Sequence, residues 1–192
     1  MTKKIVLTGA PGTGKSTLID LLHSEGYYCM HEISREIIKE AQSQGIQNIF
    51  LTDPIVFSEK ILEQRIKQYK QTITSNKRFC FFDRGIPDIT AYLDDSQIHA
   101  TDIFKNAIHE HPYDLVFVFP PWKKIYTQDR QRFETFKQAK QVHKAIVEAY
   151  KKTNSSIIII PKDTPHNRLA FILDHCNASI NTKTSAQKIL GA

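Results

Sequence analysis

A glycine-rich stretch near the N-terminus carries the clearest chemical signal in the sequence. Residues 9–17 are GAPGTGKST, which fits the phosphate-binding pattern G-x-x-x-x-G-K-S/T. In such a loop the backbone N–H groups point inward, and the N-terminus of the next helix favours negative charge. We expect Lys15 to act catalytically by reaching the β- and γ-phosphates of a nucleotide, and Ser16 to bind Mg²⁺. The predicted phosphate-binding residues are Gly9, Ala10, Pro11, Gly12, Thr13, Gly14, Lys15, Ser16 and Thr17.

An acidic residue followed by arginine ends a second apolar segment, within FFDRGIPD at 81–88. Asp83 could take a proton from an acceptor hydroxyl or hold Mg²⁺ through water. Arg84 could clamp the acceptor or the transferring phosphate in a bidentate manner. An ion pair at the end of a strand is the competing interpretation. Because open α/β sheets bind ligands at the carboxyl ends of their strands, we favour the catalytic role.

Two further groups of charged residues are candidates for the same site. The Asp83-Arg84 pair resembles the acidic-Arg pair of nucleoside and nucleotide kinases, which carry a mobile lid between a strand and a long helix. The segment KKIYTQDRQRF, at 123–133, has that position here. Arg130 and Arg132 could close over the phosphates and neutralise charge in the transition state, unless they are merely solvated. Glu32 and Arg35 follow the second predicted strand and are expected to face the acceptor cleft. The competing interpretation of these two is a surface pair on a helix.

Other classes of phosphate-loop protein need residues that do not occur at the expected places. A hydrolytic motor needs a second acidic residue after the strand-end aspartate, where this chain has Arg84. A ring-forming motor also needs a helical domain after the core, and only a short segment follows Pro161. A signalling GTPase reads guanine with Asn-Lys-x-Asp, but Asn76 and Lys77 are followed by Arg-Phe. Transfer to an acceptor therefore fits better than either alternative.

Strand-like and helix-like segments alternate along the chain, which predicts a parallel sheet with helices on both faces. The expected fold is α/β, a kinase-like P-loop NTPase with three layers (αβα) around a five-stranded parallel sheet. We expect one domain over 1–176, with a lid at about 121–135 and a polar tail over 177–192 that is frayed, or helical only on docking. Predicted strands cover 3–8, 27–30, 78–83, 115–119 and 155–161. Predicted helices cover 15–26, 32–44, a long stretch capped by Asp53, 100–110, 133–152 and 165–175. The spacing predicts an apolar stripe on the Asp53-capped helix at Leu62, Ile66, Tyr69 and Ile73, and another on the 133–152 helix at Ala139, Val142, Ile146 and Ala149.

The composition of the chain indicates its binding partners and its cellular location. The formal charge of +6 suits nucleic acid or phosphorylated small molecules, but the basic residues are scattered and form no nucleic-acid signature. The three cysteines are isolated, which favours buried, reduced thiols over disulfides or zinc. The longest aliphatic run, 157–160, is too short to span a membrane, and no signal peptide fits before the first strand. We therefore expect a cytoplasmic protein with a small-molecule partner.

The motifs together resemble a family of small stand-alone AAA-type P-loop ATPases that includes the kinase-like domain of NadR and the TRPL translocation defect protein. The resemblance covers VLTGAPGTGKSTL, EISREII, DPIVFSEKIL, FFDRGIPD, VFVFPPW and IYTQDRQR, of which the DRG-x-PD and PPW elements are the most particular. It implies ATP and Mg²⁺ as cofactors, metal binding by Ser16 and Asp83, and a homodimer as in related kinases. His31 departs from the family, in which proline is common before Glu32. The resemblance assigns site roles to residues 9–17, Glu32, Arg35, Asp83, Arg84, Asp88, Arg130 and Arg132.

The leading hypothesis is an Mg-ATP-dependent phosphotransferase acting on a small nucleoside- or nucleotide-like acceptor, with Glu32, Arg35, Arg84 and Asp88 binding that acceptor. Two alternatives stay open: a nucleotide-dependent regulatory switch, and a slow ATPase in which water fills the acceptor pocket. The residues do not identify the acceptor, since Tyr92, Trp122 and Tyr126 could each line a pocket or belong to the core.

Overall fold

The computed structural model describes residues 2–46, 49–126 and 135–189, which form five strands and eight helices. The strands are β1 (Lys3–Gly9), β2 (Tyr28–Met30), β3 (Phe79–Asp83), β4 (Leu115–Phe119) and β5 (Ser156–Ile159). The helices are α1 (Lys15–Ser24), α2 (Ser34–Ser43), α3 (Ile49–Thr52), α4 (Pro54–Gln71), α5 (Pro87–Asp95), α6 (Asp102–Glu110), α7 (Phe136–Lys151) and α8 (Pro165–Ile189).

The five described strands form one parallel sheet in the order β2-β3-β1-β4-β5. The inner strands β3 and β4 are almost entirely apolar, and β1 is buried from Ile5 to Gly9, as expected for strands covered on both faces. In the register of the sheet, Leu7 of β1 lies between Asp83 of β3 and Phe117 of β4. The carboxyl ends of these strands therefore meet at one edge, where the segments after them converge.

Alternate residues of each strand point into two separate hydrophobic cores. In β3, Cys80 and Phe82 pack on one side with α2, α4, α5, α6 and α7. Phe79 and Phe81 pack on the other side with α1 and α8. The predicted α/β fold with three layers and a five-stranded parallel sheet is confirmed. The three cysteines are free and buried, as predicted, and burial raises the pKa of each thiol to about 12.

Most helix boundaries follow from local signals in the sequence. The Asp53 side chain accepts a hydrogen bond from the Val56 N–H (3.0 Å) and caps α4. The buried stripe of α7 is the predicted one, Ala139, Val142, Ile146 and Ala149.

Three expectations about the helices are wrong. Ile73, which the spacing placed in the apolar stripe of α4, lies beyond the helix and is 69% exposed. The last helix does not end at residue 175, because α8 continues to Ile189, through much of the segment predicted to fray. The short helix α3 and the helix α5, which directly follows the Asp-Arg pair, were missing from the prediction.

Candidate active site

The phosphate-binding loop connects β1 to α1, as the sequence predicts. Gly9 has a φ of +146°, and a Cβ at this position would lie 2.5 Å from the carbonyl oxygen of Phe119 in β4. A side chain here would therefore push the loop away from the sheet. Gly14 adopts a left-handed conformation immediately before α1, so the chain turns sharply into the helix. The loop and the helix N-terminus together form the backbone arrangement that holds anions.

Lys15 is buried against the loop from which it arises. Its Nζ donates hydrogen bonds to the carbonyl oxygens of Gly9 (2.7 Å) and Ala10 (3.0 Å) and to Thr13 Oγ1 (3.4 Å). Burial, reinforced by the positive charge of Arg84, lowers the pKa of Lys15 to about 7. The lysine is thus held over the loop, at the place where phosphate groups would compete with the carbonyls.

The two predicted metal ligands lie on adjoining elements at this edge of the sheet. Ser16 is exposed in the first turn of α1, and Asp83 ends β3, next to β1. Asp83 is buried, and its pKa is raised by burial and by the negative charge of Glu32, against the opposing effect of Lys15. A hydroxyl and a carboxylate are oxygen donors of the type that Mg²⁺ prefers, so these residues fit the ion.

Arg84 has an unusual backbone and an extensively bonded side chain. Its φ is +73°, and its N–H continues the sheet by donating to the Leu7 carbonyl (3.0 Å). The guanidinium donates from Nε to Glu32 Oε2 (2.8 Å) and from Nη1 to Asp88 Oδ1 (3.2 Å), and it lies over the ring of Tyr92. The structure therefore brings Glu32 of one motif together with Arg84 and Asp88 of another in a single ion-pair network.

Glu32 lies between two arginines. Besides the bond from Arg84, its Oε1 accepts hydrogen bonds from the N–H groups of Ile33 (3.0 Å) and Ser34 (3.2 Å) and faces Arg65 Nη2 at 3.5 Å. Burial would raise the pKa of this carboxyl, but the charges of Arg84 and Arg65 outweigh it and lower the pKa to about 2. Arg35 is exposed on α2 and is not part of the described network, so Glu32 is not engaged in the alternative surface pair.

Asp88 is almost completely buried beneath Arg84. Its carboxylate accepts hydrogen bonds from the Thr8 hydroxyl, Arg84 Nη1, the Gly85 N–H (2.9 Å) and the Tyr150 hydroxyl (2.6 Å). Four donors from β1, α7 and the loop after β3 thus fix this side chain, which in turn fixes Arg84. A direct contact between Asp88 and an acceptor stays a prediction.

Two buried arginines at the site were missing from the sequence prediction. Arg65 of α4 donates from Nη1 to the carbonyl oxygen of Asp83 (3.3 Å) and pairs with Glu32. Arg168 of α8 donates from Nη1 to the Thr13 carbonyl of the phosphate-binding loop (2.9 Å) and from Nε to the Pro161 carbonyl (2.9 Å). Helical periodicity was the available signal, because each arginine is spaced as a member of the buried face of its helix.

The predicted lid is described only at its two ends. Arg130 and Arg132 lie outside the described residues, within 127–134. On the preceding side, the ring of Tyr126 comes within 3.1 Å of the position that a Cβ of Gly12 would occupy. Trp122 lies under the guanidinium of Arg168, 5.0 Å from the ring centroid. Tyr92, Trp122 and Tyr126 are all half-buried, so each reaches the surface beside the site.

The fold and the loop define a kinase-like P-loop domain built to bind a nucleotide. The family model described as AAA domain matches residues 4–168, and the chain therefore belongs to this AAA domain family. This result supports the resemblance predicted from the sequence motifs. In the described residues, no helix is both long enough and apolar enough to span a membrane.

Curated relatives match only parts of the chain. A nucleotide-binding protein from Pseudomonas savastanoi pv. phaseolicola is 23% identical over 113 residues, which cover 57% of this chain and 38% of the relative. A nucleotide-binding protein from Pseudomonas fluorescens is 33% identical over 52 residues, covering 27% of this chain and 18% of the relative. The chain thus spans less than half the length of these relatives.

Three solved structures, two of them kinases, have the same fold over almost the whole chain. A deoxyadenosine kinase from M. mycoides with bound dATP has a TM-score of 0.65 at 18% identity, covering 91% of this chain and 99% of the kinase. Thymidylate kinase from Candida albicans has a TM-score of 0.67 at 13% identity, covering 94% of this chain and 93% of the kinase. NadR in complex with NR has a TM-score of 0.68 at 17% identity, covering 90% of this chain and 50% of NadR.

Proposed function

We propose that the protein binds Mg-ATP in the 9–17 loop and transfers the γ-phosphoryl group to a small nucleoside- or nucleotide-like acceptor. The observation that carries this proposal is the position of Asp83 and Arg84 at the end of β3, beside the loop that follows β1. A nucleotide held by the loop would present its last phosphate to these residues. The similarity in fold to deoxyadenosine kinase, thymidylate kinase and NadR supports the same conclusion.

On the nucleotide side, the chain's own residues bind and orient the phosphates. The loop N–H groups and the start of α1 would hold the phosphate chain, and Lys15 would exchange its bonds to the Gly9 and Ala10 carbonyls for bonds to phosphate oxygens. Ser16, and Asp83 through water, would hold Mg²⁺, which neutralises charge on the β- and γ-phosphates when bound. Arg130 and Arg132 of the lid are proposed to approach the phosphates from the other side.

On the acceptor side, we assign the base role to Asp83 and the orienting role to Arg84. Burial raises the pKa of Asp83, which brings a carboxylate closer to the pH at which it can both accept and release a proton. Glu32, whose pKa is about 2, is held ionised by two arginines and serves as an anchor for Arg84. Arg35, exposed on α2, is proposed to contact the acceptor at the mouth of the cleft.

The test of this proposal is acceptor-dependent ADP release by Asp83→Asn, with Asp94→Asn as the matched control. Asp94 undergoes the same chemical change on α5 but is exposed to solvent. Loss of general-base catalysis is expected to lower the rate about 100-fold or more in Asp83→Asn, while Asp94→Asn keeps the wild-type rate. Full activity in Asp83→Asn would refute the assigned base.

A second function, a nucleotide-dependent switch, is favoured by one specific contact. Arg168 connects α8 to the Thr13 carbonyl, so a loop that rearranges around a nucleotide would also change the environment of α8. Slow turnover that no acceptor accelerates, together with nucleotide-dependent capture of a partner, would support this function. Slow turnover without such capture would instead support a stand-alone ATPase. The homodimer stays a proposal from the resemblance, and light scattering after size-exclusion chromatography tests it.

A further inference from the structure

The acceptor side of the site carries more negative than positive charge among its described buried groups. Three carboxylates converge there, those of Glu32, Asp83 and Asp88. Only two guanidiniums, those of Arg65 and Arg84, lie among them. Lys15 and Arg168, the other buried cations of the described site, are both held by the phosphate-binding loop. The two halves of the site therefore differ in the charge that they can accept.

Both arginines are already engaged by protein groups. Arg84 donates to Glu32 and Asp88, and its side chain is only 12% exposed. Arg65 donates to Glu32 and to the Asp83 carbonyl, and its side chain is 4% exposed. A phosphate group that approached either guanidinium would share it with a buried carboxylate and be repelled by the charge of that carboxylate, which is energetically unfavourable.

From this charge distribution we propose that the acceptor is an uncharged hydroxyl compound of the nucleoside class rather than a nucleoside monophosphate. This inference rests on the proposed phosphotransfer and specifies the chemical class of its acceptor. The Glu32 carboxylate, whose side chain is 18% exposed, is suited to accept a hydrogen bond from a sugar hydroxyl, and Arg84 can still donate its remaining N–H groups to a neutral oxygen. A second phosphate would meet like charge from Glu32, Asp83 and Asp88 as well as from ATP.

The reaction is balanced with the groups named. The acceptor hydroxyl oxygen forms a bond to the γ-phosphorus, and the bond from that phosphorus to the β,γ-bridging oxygen breaks. The hydroxyl proton passes to Asp83, and ADP leaves with the electron pair of the broken bond. The product is a phosphate monoester, which carries the charge that the acceptor side disfavours.

The test compares ADP release from Mg-ATP with pooled ribo- and deoxyribonucleosides against the pool of their matching 5′-monophosphates at equal concentrations. The expected result is a rate at least about tenfold higher with nucleosides, and mass spectrometry should detect nucleosides gaining one phosphoryl group. Equal or faster turnover of the monophosphates would overturn the inference and leave the phosphotransferase function intact. No acceleration by either pool would overturn both.

A variant tests whether the negative charge of the carboxylates causes the expected preference for nucleosides. Glu32→Gln removes one negative charge that neutralises Arg84, so the preference for nucleosides over monophosphates is expected to fall several-fold. Glu36→Gln makes the same change at an exposed position of α2 and should keep the wild-type preference. An unchanged preference in a folded Glu32→Gln protein would overturn the electrostatic explanation. The wild-type comparison decides the acceptor class without this variant.

Discussion

The hydrogen bond from Tyr150 to Asp88 offers a quantitative test of how Arg84 is positioned. Tyr150 is fully buried in α7 and donates its hydroxyl hydrogen to Asp88 Oδ2 at 2.6 Å. Tyr150→Phe removes this donor and leaves Oδ2 with the Gly85 N–H alone. Because the acceptor is a buried carboxylate, the loss should cost about 1.5–3 kcal/mol of unfolding free energy. For a domain of this size that corresponds to a fall in Tm of about 3–12 °C.

Tyr69→Phe is the matched control for this measurement. The Tyr69 hydroxyl also donates a short bond, to the Pro112 carbonyl at 2.8 Å, but its acceptor is neutral. Loss of such a bond costs about 0.5–1.5 kcal/mol, so Tyr69→Phe should be less destabilising than Tyr150→Phe. Urea and thermal denaturation of both variants provide the comparison. Equal destabilisation, or a larger effect in Tyr69→Phe, would refute the view that Tyr150 supports a buried charged group.

Three further predictions concern the loop and the ion-pair network. Above a pH of about 7 the Lys15 amine is mostly neutral in the free protein, so ATP binding at about pH 8 should take up a proton. Calorimetry in buffers of different ionisation enthalpy measures this proton uptake, and its absence would contradict the low pKa of Lys15. Arg168→Met removes the donor to the Thr13 carbonyl and should weaken ATP binding about tenfold, and Arg168→Lys should have an intermediate effect. Calorimetric titration measures the affinity for ATP, and an unchanged affinity would show that this contact does not position the loop. Glu32 has its pKa lowered from 4.5 to about 2, so its contribution to stability is complete above about pH 4.5 and is lost as the pH falls towards 2. Urea denaturation should therefore show wild type and Glu32→Gln converging over that range, and a constant difference would contradict the ion pairs.

The parts of the site that sequence predicted well are those set by local spacing. The phosphate-binding loop follows from nine consecutive residues, and the strands follow from short apolar runs whose ends differ from the structure by two residues at most. Glu32, Asp83 and Arg84 meet because their strands are parallel and their carboxyl ends share one edge of the sheet. A correct strand prediction therefore placed these residues at one edge of the sheet, and the pairing of β2 with β3, which the sequence did not predict, brings Glu32 next to Asp83 and Arg84.

Contacts between distant segments could not be predicted in the same way. Asp88 follows Arg84 by one helical turn, but its bonds to Thr8 and Tyr150 depend on how β1 and α7 pack around α5. Arg65 and Arg168 have the polarity of surface residues, so composition places them in solvent although helical spacing places them in the core. The extension of α8 was missed for a similar reason, because a polar sequence gives no apolar stripe to follow.

The most direct test of the account is to determine where the γ-phosphate of ATP goes. The purified protein would be incubated with Mg²⁺ and ATP radiolabelled in its γ-phosphate, with and without pooled nucleosides, and the products separated by chromatography. The account predicts that the label moves into an organic phosphate monoester only when nucleosides are present, and that Asp83→Asn abolishes this transfer. Label that goes only to inorganic phosphate, or that stays in ATP with every pool, would contradict phosphotransfer to a small acceptor.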